Sequence, residues 1–251
     1  MSPLIWSLLI ASLSTGTIIT MFSYHWLLAW LGLEINTLSI LPIISKSHHP
    51  RATEAATKYF LIQAMAAALI MFASILNTWQ TGHWSITNTT NTAATTMITL
   101  ALLFKLGVAP MHAWYPEILQ GSTLTTAMIM TTWQKLAPMA LLYMINPHLP
   151  QHLILVAGFL STLMGGWSGL NQTQTRKIMA FSSIAHMGWL IITLHLSLTL
   201  TTTTLLIYII MTSTMFLALN TMTMKTLTDM GLAWSQSPSL MTTMMISLMS
   251  L

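Results

Sequence analysis

The sequence lacks cysteine and holds very few charged residues. Of its 251 residues, only eight are Lys or Arg and four are Asp or Glu. An ordinary soluble domain carries about 25 % charged residues, so a charged fraction of 5 % argues strongly against a water-soluble protein. The 54 % hydrophobic content excludes a disordered chain, which needs low hydrophobicity. Without cysteine, disulfide frameworks and cysteine-ligated metal sites are excluded as well.

The sequence also lacks the motifs that carry redox or nucleotide chemistry. It has no Gly-rich phosphate loop, no dinucleotide fingerprint and no nucleophile elbow. No helix pairs histidines at haem spacing, and no Asp, Glu and His cluster suggests a metal site. The net charge of +4 is a small lysine excess and does not indicate a nucleic-acid face. We therefore predict no cofactor, metal or nucleic acid bound by this chain.

Apolar runs near the length of a bilayer crossing recur from end to end. About 20 apolar residues cross the hydrocarbon core as a helix, and no stretch alternates with the period of two that a β-barrel needs. We predict an all-α, polytopic transmembrane bundle that forms a single membrane domain over 1–251. The expected helices number about nine, at 3–22, 25–45, 54–79, 93–119, 122–145, 150–171, 176–195, 198–224 and from about 238 onward.

The basic residues are unevenly distributed among the short connections between these helices. Three connections, at 46–58, at 171–177 and after the eighth helix, hold six of the eight, namely Lys46, Arg51, Lys58, Arg176, Lys177 and Lys225. The other connections hold no Lys or Arg. Strict alternation of the helices puts the three basic connections on one face of the membrane, together with the N-terminus. The positive-inside rule assigns that face to the matrix or the cytoplasm.

Three ionisable residues fall inside apolar helices instead, namely Glu34, Lys105 and Lys135. Each costs roughly 2.5–3.5 kcal/mol at the bilayer centre, so all three must face the bundle interior. One interpretation is a static Glu–Lys pair that pins helices together. The other is an ion path, since neighbouring buried acids and bases titrate as coupled groups. We favour the ion path because apolar packing could replace a purely structural pair at little cost.

The fourth helix is predicted to break near residues 105–112. Pro110 removes one backbone hydrogen bond and clashes with the preceding turn, and Gly107 loosens the same stretch. Transporters use broken helices at their ion sites, where freed carbonyls attract cations. A simple proline kink is the alternative. We expect Lys105 to lie beside the carbonyls that the break exposes.

Two histidines lie within or near apolar stretches and are candidate proton relays. His112 follows the predicted break, and His186 lies in the seventh predicted helix. Imidazole titrates near neutral pH, so either residue could pass protons. For each histidine alone, a hydrogen-bonded packing role is the better explanation.

Four segments resemble a known family. They read HWLLAWLGLEINTLSILPII (25–44), HHPRATEAATKYFLIQA (48–64), FKLGVAPMHAWYPEILQG (104–121) and TWQKLAPMALL (132–142). They are similar to NADH dehydrogenase subunit 2 of animal mitochondria, an antiporter-like membrane subunit of respiratory complex I. The resemblance runs from Met1 to about residue 225. The 22 methionines, the many threonines and the absence of a transit peptide agree with a chain encoded and made inside mitochondria.

The resemblance implies a fold of two inverted five-helix repeats, each with one broken helix. The first repeat would occupy 1–145, and the second, incomplete at its C-terminal end, 150–251. In the family a helix glutamate pairs with a lysine near the first break, and a further lysine continues a hydrated path across the membrane middle. Glu34, Lys105 and Lys135 occupy those positions here. Family chains continue through a second broken helix with another lysine, which this sequence stops short of.

The resemblance also implies a function. The chain would be a core membrane-arm subunit of mitochondrial NADH:ubiquinone oxidoreductase that contributes to proton translocation and holds no redox centre. NADH, FMN, iron–sulfur clusters and ubiquinone would bind other subunits. The expected partners are the other membrane-arm subunits and bilayer lipids such as cardiolipin. The expected location is the mitochondrial inner membrane, with the N-terminus and basic connections in the matrix. The alternatives are a structural or assembly subunit without its own proton path and a free-standing cation/proton antiporter.

Overall fold

The structure is a computed structural model that describes residues 3–45, 49–235 and 237–250. Lys46 of the first basic connection lies outside the described residues. The α-helices are α1 (Pro3–Phe22), α2 (Trp26–Ile44), α3 (Pro50–Thr81), α4 (Thr92–Leu106), α5 (Trp114–Gly121), α6 (Leu124–Thr131), α7 (Leu136–Ile145), α8 (Gln151–Leu170), α9 (Thr175–Leu196), α10 (Leu198–Thr221), α11 (Leu227–Ala233) and α12 (Pro238–Ser250). Short 3₁₀ turns lie at Trp133–Lys135 and Asn146–His148.

The prediction of an all-α membrane bundle is confirmed. Six helices, α1, α2, α3, α8, α9 and α10, are long and apolar enough to cross a bilayer. Two further stretches of crossing length, α4 with α5 and α6 with α7, are each interrupted near their middle. The chain is therefore a multi-pass membrane protein.

The predicted number of nine helices is wrong for the described part of the chain. The predicted helix at 93–119 divides into α4 and α5, and the one at 122–145 divides into α6 and α7. A short extra helix, α11, precedes α12. The first division follows from Gly107 and Pro110, as expected. The second has a similar cause, because Pro138 has no N–H to donate to the Gln134 carbonyl and its ring clashes there, and a 3₁₀ turn occupies Trp133–Lys135.

The helices form two compact units, which are described separately. The first comprises the residues up to Gly107 together with Gln134–Ile154, and so contains α1 to α4 and α7. The second comprises Val108–Trp133 and the residues from Leu155 onward. These two units are defined by which residues contact each other. The repeats at 1–145 and 150–251 were predicted as symmetry-related copies, which the contacts do not test, so they stay a prediction.

In the first unit, α2 lies against both α1 and α3, while α7 contacts α1, α2 and α4. The crossing of α1 and α2 is close because Gly16 and Gly32 meet there. A Cβ on Gly32 would lie 2.9 Å from the Gly16 carbonyl oxygen, so neither position has room for a side chain. On the other flank, Trp30 Nε1 donates a hydrogen bond to the Ala67 carbonyl of α3 at 3.0 Å. These contacts fix the helix that carries Glu34.

In the second unit, α9 contacts α5, α6 and α10, and α10 also contacts α12. Glycines again permit close packing between α8 and α9. A Cβ on Gly158 would lie 3.0 Å from the Gly188 carbonyl oxygen, and a Cβ on Gly165 would lie 2.8 Å from the Phe181 carbonyl oxygen. Small residues are common where membrane helices cross, because helices surrounded by lipid associate through close packing and not through the hydrophobic effect.

Uncharged connections lie side by side in the first unit. The Trp26 N–H donates to the Trp84 carbonyl at 3.0 Å, and the His25 ring stacks on the Trp84 indole with 5.5 Å between centroids. These contacts join the connection after α1 to the connection after α3. Strict alternation of the helices puts both connections, neither of which contains Lys or Arg, on one face, and their proximity agrees with that prediction.

Basic connections lie side by side in the second unit. The Thr175 N–H donates to the Lys225 carbonyl at 3.2 Å, and the Leu227 N–H donates to the Thr173 carbonyl at 3.1 Å. The connection before α9 is thereby joined to the connection after α10. Strict alternation of the helices predicted that these two basic connections share a face.

The α11 helix begins with a capping box formed by Thr226 and Asp229. The Asp229 carboxylate accepts hydrogen bonds from the N–H groups of Lys225, at 3.1 Å, and Thr226, at 2.9 Å. Chiefly these hydrogen bonds, with the Lys225 charge adding a little, hold the pKa of Asp229 below its ordinary value of 3.8. The cap therefore contributes fully above the unfolded-state pKa and is lost as pH falls through the lower folded-state pKa.

We expect the backbone amides of Lys225 and Thr226 to lose protection against hydrogen exchange as the solution is acidified past the Asp229 pKa. Hydrogen-exchange mass spectrometry, corrected for the intrinsic pH dependence of exchange, measures this loss. The Asp229→Asn variant keeps an acceptor oxygen but no titrating group, so its protection should be independent of pH. Identical pH profiles in the two proteins would contradict the assignment.

Candidate functional site

The α4 helix ends abruptly at Leu106. Gly107 takes the left-handed conformation, with φ of 71°, and its N–H turns back to the Phe104 carbonyl at 3.1 Å. A residue with a Cβ would be strained at this φ, which explains the glycine. The last carbonyls of a helix have no intrahelical donor and carry partial negative charge. The break thus exposes hydrogen-bond acceptors inside an otherwise apolar stretch.

Lys135 meets one of these acceptors. Its Nζ donates a hydrogen bond to the Leu106 carbonyl oxygen at 3.2 Å, and the residue is only 3 % exposed. Lys135 ends the 3₁₀ turn that precedes α7. An ammonium at the carbonyl end of a helix is stabilised by the helix dipole, and more so when it is shielded from water. The interruption before α7 therefore brings a cation to the interruption after α4.

The sequence led us to expect Lys105 beside the carbonyls that the break exposes. In the structure it is Lys135 that donates a hydrogen bond to one of them. Lys105 lies in the last turn of α4 and is 7 % exposed. Its Nζ makes no hydrogen bond to any described residue. The ammonium instead interacts electrostatically with the Glu34 carboxylate.

Glu34 lies on α2 and is partly buried. Its carboxylate interacts electrostatically with the Tyr59 hydroxyl as well as with Lys105, and its Oε2 atom is buried without a hydrogen bond to any described residue. Within the described part of the chain, the ion pair closer than 4.0 Å joins Lys58 and Glu54 at the surface, not Glu34 and Lys105. The Glu34 carboxylate and the Lys105 ammonium thus interact electrostatically without forming a close ion pair.

The first unit therefore brings together all three residues that the sequence singled out. Glu34 comes from α2, Lys105 from the end of α4 and Lys135 from the turn before α7. A low-dielectric interior strengthens interactions between such groups, so a change of protonation at one alters the others. This arrangement can hold a proton in more than one place.

In the second unit, side-chain donors also meet the carbonyl ends of interrupted helices. The Tyr208 hydroxyl of α10 donates to the Thr131 carbonyl, the last of α6, at 2.9 Å. Arg176 Nη1 donates to the Gln120 carbonyl at 3.1 Å and to the Ser122 carbonyl at 2.5 Å, where α5 ends. The sequence treated Arg176 only as a marker of orientation and missed Tyr208. A tyrosine within an apolar helix was the available signal for Tyr208, because a buried hydroxyl needs a partner.

The two candidate relay histidines both lie in the second unit. His112 is half-buried in the segment between α4 and α5. His186 lies on α9, with its ring centroid 5.5 Å from that of Tyr208. Their role as relays stays a prediction. Among the described residues, no group of His, Asp and Glu could hold a metal ion.

Comparison with known proteins identifies the family. The profile of the family described as NADH:quinone oxidoreductase/Mrp antiporter, TM, matches residues 23–251. The chain is 52 % identical to NADH-ubiquinone oxidoreductase chain 2 of Xenopus laevis, over all of this chain and 73 % of that one. The chain belongs to this family. The corresponding protein of Polypterus ornatipinnis is 51 % identical over all of this chain and 72 % of its own length.

A solved structure shares the fold. A chain of respiratory complex I from Thermus thermophilus with bound aureothin superposes with a TM-score of 0.78 and 28 % sequence identity. The match covers 84 % of this chain and half the length of the Thermus chain. The resemblance noted from the sequence to antiporter-like subunits of complex I is thereby confirmed.

Proposed function

We propose that this chain is a membrane-arm subunit of mitochondrial NADH:ubiquinone oxidoreductase and that it carries protons across the inner membrane. The observation that carries the proposal is the grouping of Glu34, Lys105 and Lys135 at a helix break inside one compact unit. Family membership supports it. Oxidation of NADH and reduction of ubiquinone belong to other subunits, which hold the FMN and the iron–sulfur clusters. This chain contributes titratable groups and no redox centre.

The proposed proton step begins at Glu34 and Lys105. Their charges interact without an ion pair, so a change in the surrounding electric field alters how strongly Glu34 stabilises the Lys105 ammonium. In this step Lys135 starts as the neutral amine; when the stabilisation of Lys105 weakens, Lys105 releases its proton and Lys135 takes it up to become the ammonium, so the total charge is conserved. The Leu106 carbonyl then stabilises the Lys135 ammonium by hydrogen bonding.

The proposed location is the mitochondrial inner membrane, with the N-terminus and the basic connections on the matrix side. Two observations support this orientation. The basic connections before α9 and after α10 are joined by backbone hydrogen bonds, as are the uncharged connections after α1 and after α3. The chain would contact other membrane-arm subunits, and its exposed apolar surface would contact lipid, including cardiolipin.

A structural role is the second candidate, and one observation favours it. Lys135 caps the carbonyl end of α4, which a purely architectural lysine would also do. On this interpretation the chain holds neighbouring subunits together without moving protons. The two candidates differ in what happens when a lysine keeps its charge but loses the ability to release a proton.

Lys105→Met tests the proposed function. Methionine keeps the length and apolar stem of the side chain but removes the titratable group. We expect the initial rate of NADH-driven proton uptake by vesicles containing the whole complex to fall about a hundredfold, the lower end of what the loss of one acid–base group costs. Lys177→Met, at the surface end of α9, is the matched control and should leave the rate unchanged. Unchanged proton uptake per NADH in Lys105→Met would exclude the proposed role of Lys105.

A further inference from the structure

A hydrogen bond between two amide side chains holds the turn that carries Lys135. Gln134 Nε2 donates to Asn36 Oδ1 at 3.1 Å. Gln134 directly precedes Lys135 in the 3₁₀ turn, and Asn36 lies on α2 with 2 % exposure. Both residues belong to the first unit. The bond joins positions 98 residues apart in the chain.

The turn needs such a restraint. Pro138 cannot donate to the Gln134 carbonyl, so the regular helical ladder begins only after Lys135. A 3₁₀ turn has poorer hydrogen-bond geometry than an α-helix. The lysine side chain adds four flexible carbons between this turn and its ammonium group. A tertiary restraint on the turn therefore helps to hold the Lys135 Nζ at the Leu106 carbonyl.

Asn36 is a firm anchor because its surroundings are packed. It lies two residues after Glu34 on the same helix, and α1 crosses α2 beside it. A Cβ placed on Gly16 of α1 would lie 3.0 Å from the Asn36 backbone nitrogen and 3.3 Å from the Asn36 Cβ. The hydrogen bond between the two side-chain amides therefore connects α2, which carries Glu34, to the turn that carries Lys135.

We propose that Asn36 and Gln134 are positioning residues for the proton step, holding the Lys135 ammonium at the Leu106 carbonyl in fixed register with Glu34. The proposal rests on the proposed function of Glu34, Lys105 and Lys135. Neither amide titrates, so neither can carry a proton itself. Their contribution is to the geometry and hence to the rate and pH dependence of transfer.

Gln134→Met tests this proposal in the whole complex. Methionine has a similar length and cannot donate the hydrogen bond. We expect the rate of NADH-driven proton uptake to fall about fivefold, the factor that one neutral hydrogen bond is worth. We also expect the pH optimum of that rate to shift, because the ammonium loses its fixed acceptor. The amount of assembled complex should not change.

Two further variants separate positioning from general packing. Asn36→Gln combined with Gln134→Asn exchanges the long and the short amide and keeps their combined length, so it should restore the rate and the pH optimum. Gln174→Met removes another amide–amide hydrogen bond, the one that Gln120 donates at 2.6 Å in the second unit. It should leave both quantities at their wild-type values.

The results for these variants distinguish a failure of the positioning proposal from a failure of the proposed function on which it rests. If Lys135→Met stops proton uptake while Gln134→Met leaves its rate and pH profile unchanged, the positioning proposal is overturned and the proposed function stands. If Lys135→Met pumps normally, the proposed function fails and the positioning proposal with it. Should Gln134→Met fail to assemble, the exchange variant decides. Wild-type rate and profile in that variant support the proposal, and an impaired rate overturns it.

Discussion

Lys135→Met is expected to abolish proton translocation by the assembled complex, lowering NADH-driven proton uptake about a hundredfold or more. The effect should exceed that of Lys105→Met because Lys135 is the more buried lysine and directly bonds the Leu106 carbonyl. Electron transfer from NADH to a water-soluble acceptor should persist, since no redox centre is expected on this chain. Proton uptake by vesicles, measured beside this electron transfer, separates the two activities.

The complex with Lys135→Met should still assemble, because two energetic terms oppose each other. Loss of the ammonium leaves the Leu106 carbonyl unsatisfied, at about 1–3 kcal/mol. It also removes a charge whose burial is itself costly, and apolar replacements of buried charges are often tolerated. The amount of assembled complex on native gels is the measurement, and a large loss would show that Lys135 is chiefly architectural.

Lys135→Arg is the control that separates proton transfer from capping. Arginine keeps the positive charge and the donors, so it can still bond a helix carbonyl. It does not release its proton under physiological conditions. A proton carrier should therefore remain inactive as arginine, whereas a structural cap should recover. Wild-type pumping by Lys135→Arg would establish the structural role.

The candidate site was largely predictable because charge is so scarce. Only 12 residues of this chain are charged, and burying one in a bilayer is costly, so Glu34, Lys105 and Lys135 needed an explanation other than solubility. The first break was predictable for a related reason. Gly107 and Pro110 both weaken a helix, and they stand three residues apart. Composition and local sequence were sufficient for both conclusions.

The second break could not be predicted with the same confidence, because proline acts differently in different surroundings. Pro42 lies inside α2, and that helix continues to Ile44. Pro116 lies in the first turn of α5, where its missing N–H would be unpaired in any case. Of these three prolines, Pro138 is the one preceded by a 3₁₀ turn. The difference arises from tertiary contacts that no local pattern records.

The partners across the site were equally hidden. The Lys135–Leu106 bond spans 29 residues, and the Gln134–Asn36 bond spans 98. Both depend on how α2, α4 and α7 pack in the first unit. The sequence placed Lys105 near the exposed carbonyls and gave Lys135 no partner, whereas the structure bonds Lys135 to the Leu106 carbonyl. Helix packing decides which distant residues form hydrogen bonds. That packing depends on close contacts between small residues as much as on the polar residues themselves.

Gly32→Leu is expected to destroy assembly of the protein. Gly32 faces Gly16 and Thr20 where α2 crosses α1, and even a Cβ at Gly32 would lie 2.9 Å from the Gly16 carbonyl oxygen and 3.0 Å from the Thr20 nitrogen. These are backbone atoms, so relief requires that the helices separate. Gly32→Ala should lower the free energy of unfolding by about 1–3 kcal/mol, and leucine, with three more carbons, by more.

Because Glu34 lies half a turn beyond Gly32, the smaller change should also disturb the site. We expect Gly32→Ala to assemble at reduced yield, to unfold at a lower temperature and to pump more slowly than wild type. Gly166→Ala is the matched control, since a Cβ there meets nothing within 4 Å on the exposed side of α8. It should match wild type in yield, thermal midpoint and proton uptake. Equal behaviour of the two alanine variants would contradict the close α1–α2 crossing and, with it, the placement of Glu34 and Asn36 on which the proposed proton step depends.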